Sequence, residues 1–137
     1  MIDIALSIAK KAHAGQVDKA GVDYIQHPLY VASQVKTEQE KTVALLHDVI
    51  EDSDVTVDDL LASGLSNEVV TAVQILTKKE GQSYQEYLEK VKSNNLARVV
   101  KLADLKHNSD LSRLKSVTNT DYERVKKYKN AIRYLST

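Results

Sequence analysis

Between His47 and Asp59 the chain carries seven acids or imidazoles, His47, Asp48, Glu51, Asp52, Asp54, Asp58 and Asp59, and no lysine or arginine. They stand in the stretch ALLHDVIEDSDVTVDD, beside apolar Leu45, Leu46, Val49 and Ile50. On a helix, residues four apart share a face, which puts His47 over Glu51 and Asp48 over Asp52. One imidazole and three carboxylates on one side of a helix repel each other where they ionise. A bound divalent cation reverses that sign, because ionised carboxylates become its ligands or partners. The plainer reading is a solvated acidic helix face. The four apolar neighbours argue against it, since they require much of this helix to be buried.

One helix cannot enclose an ion, and two further residues complete a set. His27 precedes Pro28 in YIQHP, and Asp104 interrupts the apolar run of VVKLADLKHN. An aspartate in such a run must face a partner, because an unpaired buried carboxylate is costly. For Asp104 that partner is a metal or, alternatively, Lys101. His27, His47, Asp48 and Asp104 make a four-ligand set drawn from three helices, with room for water and a substrate oxygen. The chain has no cysteine, so thiolate sites and disulfides are excluded. Nitrogen and oxygen ligands of this mixture suit manganese, iron, nickel or zinc.

The elements that must position these residues are helical. One proline and four glycines punctuate 137 residues, and no run alternates with period two long enough for a sheet. Helices are expected from Ile2 to His13, from about His27 with Pro28 in the first turn, and along TEQEKTVALLHDVIED, with Thr37 or Thr42 as its cap. Further helices follow Thr56, Ser66 and Ser83 as N-caps. A long one covers LARVVKLADLKHNSDLSRL, and a last one starts at a Thr120–Glu123 capping box. The fold class is all-α: a compact bundle of about seven or eight helices in one domain spanning residues 1–137. Its core must come from Leu, Val, Ile and Ala, because Phe and Trp are absent.

Nineteen basic residues balance nineteen acidic ones, so no global charge steers the protein to DNA or RNA. The N-terminal residues carry no secretory leader pattern, and no apolar stretch reaches membrane-spanning length. A cytoplasmic protein without a membrane partner is expected.

Five ordered motifs, AHAGQ, YIQHP, ALLHDVIED, ILTKK and VKLADLKHN, resemble the HD-domain metal-dependent phosphohydrolases. In order and spacing they look like the hydrolase domain of the RelA/SpoT alarmone enzymes and the small stand-alone alarmone hydrolases, over about Ile4 to Leu114. The resemblance implies a manganese-dependent enzyme that removes the 3′-pyrophosphate of (p)ppGpp. It implies His27, His47, Asp48 and Asp104 as metal ligands, and Glu51 and Asp52 as the pair that orients or activates water. It also implies Lys19, Tyr24 and Asn108 as substrate contacts. His13 reads as a structural residue at a helix end, and His107 as a residue that orients a neighbour.

The resemblance breaks at charged positions. Asp18 stands where the family carries an arginine, and Asp110 where a basic residue is common. Both are expected to weaken the hold on a phosphorylated guanine nucleotide. Two other functions are therefore weighed: hydrolysis of another nucleotide, such as the NADPH 2′-phosphate or a nucleoside monophosphate, and a non-catalytic nucleotide-sensing domain.

Overall fold

The computed structural model describes residues 1–137. Its helices are α1 (Ile2–Ala12), α2 (Gln26–Ser33), α3 (Glu38–Leu46), α4 (Val49–Asp52), α5 (Val57–Ala62), α6 (Asn67–Leu76), α7 (Tyr84–Ser93), α8 (Asn95–Asn108) and α9 (Asn119–Leu135), with a 3-10 turn at Leu111–Arg113. The four-residue α4 is a single turn that follows α3 after His47 and Asp48. The remaining eight helices match the expected all-α bundle. The β pairing present is an isolated bridge between Val17 and Asp23.

Local signals explain most helix starts. Thr37 with Glu40, Thr56 with Asp59 and Ser83 with Glu86 form reciprocal capping boxes, and the Ser66 hydroxyl accepts from the Val69 amide. Each such cap contributes about 0.5–2 kcal/mol. The last helix starts earlier than expected. Thr118 and Asp121, not Thr120 and Glu123, make its box. The spacing is the same, but Asp121 also takes an ion pair from Arg124 at 2.9 Å, which favours the longer helix.

Two helices organise the molecule. α3 packs against α1, α2, α6 and α8, and α8 packs against α2, α3, α6, α7 and α9. Val43, Ala44, Leu45 and Leu46 are all buried, so α3 is apolar around most of its circumference. Burying a leucine such as Leu46 contributes about 1.5–3 kcal/mol. That central position forces the end of α3, and His47 with it, into the interior.

The expected continuous helix through His47 is interrupted. The His47 Nδ1 hydrogen-bonds the Ala44 carbonyl at 2.5 Å, the group that the Asp48 amide would use if the helix ran on. Asp48 then adopts φ −108° and ψ 0°, and α4 resumes at Val49. α8 is shorter than expected, ending at Asn108 with the Ser109 amide bonded to the Leu105 carbonyl. Asp110 caps the 3-10 turn that follows.

Candidate metal centre

His27 in the first turn of α2, His47 and Asp48 at the end of α3, and Asp104 on α8 meet where these three helices cross. One ligand atom from each lies within 4.8 Å of all the others. Metal–nitrogen and metal–oxygen bonds of about 2.0–2.6 Å allow atoms so spaced to share one ion. The His27 Nε2 is 2.8 Å from Asp104 Oδ1 and 3.9 Å from Asp48 Oδ2. The His47 Nε2 is 3.0 Å from Asp48 Oδ2 and 3.3 Å from Asp104 Oδ1.

The His47 imidazole gives the strongest sign that the cluster suits a cation. With Nδ1–H donating to Ala44, its Nε2 presents a lone pair to two carboxylates. That atom is buried and has no partner of hydrogen-bonding geometry. The two carboxylates favour positive charge at this point. Burial opposes charge on His47, but Asp48 and Asp104 outweigh it and hold the imidazole pKa well above its usual value. Burial likewise opposes ionisation of Asp48, yet His47 and the Tyr24 hydroxyl bring it down to about 2. Two imidazoles and two carboxylates gathered in this way fit a divalent metal.

The surrounding side chains hold the four in place. Asp104 pairs with Lys101, one of the two partners weighed for it, and turns its other oxygen to the cluster. Its Oδ1 faces His27 and accepts from Asn108 Nδ2 at 3.0 Å, and its Oδ2 accepts from Lys101 Nζ at 2.9 Å. Burial raises its carboxyl, but Lys101 and the two histidines pull it well below the usual range. The His107 Nδ1 lies 2.7 Å from His27 Nδ1. Burial and the Arg113 charge push His107 down to about 4, so its neutral Nδ1 suits a hydrogen bond from a His27 Nδ1–H, the tautomer that turns the His27 Nε2 lone pair toward the cluster. His13 is buried, bonded to Gln16 through Nδ1, and packed against the Tyr24 ring at 4.9 Å, with its Nε2 unpartnered.

Tyr24, expected at the substrate, also touches the cluster: its hydroxyl donates to Asp48 Oδ2 at 2.5 Å. Tyr24→Phe is expected to lower metal affinity by about 10- to 100-fold, the usual effect of losing a hydrogen bond to a ligand. Titration of the stripped protein with manganese checks this; unchanged affinity would leave Tyr24 a packing residue.

Glu51 lines a cleft of about 240 Å³ that contains His47 and Asp48 and is edged by Lys78, Lys101 and Lys127. Its Oε1 accepts from the Lys78 amide at 3.1 Å. Desolvation raises its pKa against that bond, and Asp48 and Asp52 raise it further. Asp52 is exposed; partial desolvation and then Asp48 raise its pKa as well. A second cleft of about 320 Å³ holds Asp18, Lys19, Tyr24, Asn108, Asp110 and Arg113. It reaches the cluster through Tyr24 and Asn108, and Tyr128 borders both clefts.

The two aspartates that break the family pattern are occupied. Asp18 Oδ1 accepts from the amides of Ala20 and Val22, and Oδ2 from Arg113 Nη1 at 3.3 Å. This closes a tight turn in which Gly21 takes φ +80°. Asp110 Oδ1 accepts from the amide and hydroxyl of Ser112. Asp18 is therefore a neutralised loop brace, not the free repelling charge its position suggests. The arginine that neutralises it was not among the expected site residues, because it lies 95 positions away in the chain.

A helical bundle with paired histidines and aspartates at a three-helix crossing is the pattern of an HD-type hydrolase domain. The chain matches no protein-family model. Its homologues are SpoT and (p)ppGpp hydrolases. It is 32% identical over 120 residues to the bifunctional (p)ppGpp synthase/hydrolase SpoT of Escherichia coli K12, covering 76% of this chain and 17% of that protein. It is 39% identical over 115 residues to the guanosine-3′,5′-bis(diphosphate) 3′-pyrophosphohydrolase of Haemophilus influenzae, covering 74% of this chain and 17% of that one. The chain thus spans about a sixth of the length of these relatives. Its fold superposes on the structure of a metazoan SpoT orthologue that hydrolyses ppGpp, with TM-score 0.79 and 23% identity, over 98% of this chain and 84% of that one.

Proposed function

We propose that this protein is a metal-dependent phosphohydrolase that removes the 3′-pyrophosphate of guanosine-3′,5′-bis(diphosphate) by adding water to the bond between the 3′ oxygen and phosphorus. The observation that carries this reading is the convergence of His27, His47, Asp48 and Asp104 on one point beside Glu51. Those four residues would hold one divalent metal, with manganese as first choice and iron, nickel or zinc allowed by the donors. Such an ion, when bound, polarises phosphate oxygens and acidifies water. Glu51 and Asp52 orient the attacking water, and Glu51, with its raised pKa, takes the proton that the water releases.

Two clefts that share Tyr128, one holding His47 and Asp48 and the other tied to the cluster by Tyr24 and Asn108, suit a substrate with phosphates at both ends. Lys78 and Lys127 offer positive charge in one cleft, beside a Lys101 paired with Asp104, and Lys19, Tyr24 and Asn108 line the other. The alternative of a different nucleotide rested on repulsion by Asp18 and Asp110. The ion pair between Asp18 and Arg113 weakens that alternative at Asp18, while Asp110, held by Ser112, keeps its charge. A sensing domain without catalysis would have no use for Glu51 in the cleft. No helix is long and apolar enough to cross a membrane, which is compatible with the cytoplasmic location proposed for an enzyme acting on a nucleotide.

The test is a substrate panel. Manganese-loaded protein is offered (p)ppGpp, NADPH and nucleoside monophosphates, and released phosphate and pyrophosphate are resolved separately. Pyrophosphate from ppGpp alone is the expected outcome. Orthophosphate from NADPH or a monophosphate, with ppGpp untouched, would replace the proposal with the second reading.

A further inference from the structure

The 320 Å³ cleft carries Asp18 and Lys19 on its loop and an arginine, Arg113, brought in from elsewhere in the chain. Arg113, on the 3-10 turn after α8, points its guanidinium at the loop. Its Nη1 donates to Asp18 Oδ2 at 3.3 Å, and its Nη2 lies 3.5 Å from the His107 carbonyl. Asp18 is braced in turn by two loop amides, so the carboxylate that grips Arg113 is itself fixed. The guanidinium is about one-third exposed, and both residues line the 320 Å³ cleft with Tyr24 and Asn108. Those last two donate hydrogen bonds to Asp48 and Asp104. The cleft is thereby tied to the point where the metal ligands converge.

Two consequences follow from this geometry. The negative charge of Asp18 is paired with the Arg113 guanidinium inside the cleft. The guanidinium has five donors and a flat face, and only two of its nitrogens are engaged, one of them at long range. A planar, weakly hydrated cation stacks on an aromatic base in a way that an ammonium does not. Building on the hydrolase reading above, we infer that Arg113, set in place by Asp18, is the residue that holds the purine base of the substrate.

The experiment compares wild type with Arg113→Ala, Arg113→Lys and the exchange variant Asp18→Arg/Arg113→Asp, all manganese-loaded. KM and kcat are measured for ppGpp, GDP binding is measured by calorimetry, and each variant's thermal midpoint is recorded. Arg113→Ala is expected to raise KM and weaken GDP binding by about ten- to a hundred-fold, the scale of a lost charged contact, with the loss falling on KM rather than kcat. Arg113→Lys keeps the ion pair with Asp18, and so the loop brace, but not the flat face. It is expected to melt like wild type and still bind GDP poorly. The exchange variant returns a guanidinium to the loop and is expected to recover most of the affinity.

If Arg113→Ala binds GDP as wild type does, the inference is wrong. It is equally wrong if Arg113→Lys restores full GDP affinity, because charge or bracing alone would then suffice. Should wild type release no pyrophosphate from ppGpp, the hydrolase reading fails. GDP binding then still decides the role of Arg113: a loss confined to the variants supports it, and no measurable binding by wild type overturns it.

Discussion

Asp48→Ala protein is expected to lose its metal and its turnover together. Asp48 contributes one of four converging ligand atoms, and its Oδ2 lies 3.0 Å from the His47 Nε2. Without that carboxylate, three ligands remain and the Tyr24 hydroxyl loses its acceptor. The loss of turnover should exceed the roughly hundred- to ten-thousand-fold contributed by a general base alone, because every step depends on the ion. Elemental analysis after stripping and reloading reads the metal, and circular dichroism confirms that the bundle is folded. Equal metal content in Asp48→Ala and wild type would remove Asp48 from the ligand set.

Glu51→Gln should behave differently. The amide oxygen can still accept from the Lys78 amide, so the shape of the cleft is kept while the proton acceptor is removed. Metal content is expected to stay at the wild-type level while turnover falls by about a hundred- to ten-thousand-fold. The pH profile separates this role from a structural one. Desolvation, opposed by the Lys78 amide and aided by Asp48 and Asp52, raises the Glu51 pKa above its usual value. A base works only when ionised, so the wild-type rate climbs as pH rises through that raised pKa and then levels. In Glu51→Gln this limb is absent from the residual rate. Loss of metal in Glu51→Gln, with the rate per bound metal unchanged, would make Glu51 a ligand instead.

The helices and the four converging side chains were legible in the sequence because their signals are local or chemically unusual. Thr56 with Asp59 and Ser83 with Glu86 declare helix starts within four residues. An aspartate inside an apolar run, like a histidine and aspartate beside buried leucines, has few explanations other than a shared partner. Tertiary structure decided what depends on residues far apart in the chain. The end of α3 is broken at His47 because its buried imidazole takes the Ala44 carbonyl, a choice that helical periodicity does not record. Lys101 and the metal cluster share Asp104 because α8 shows its two carboxylate oxygens to different neighbours. Asp18 read as a repelling charge in the sequence, and only the packing of the loop against the turn after α8 brought Arg113 to it. A charge acts through the partners within a few ångströms of it, and folding, not position in the chain, chooses those partners.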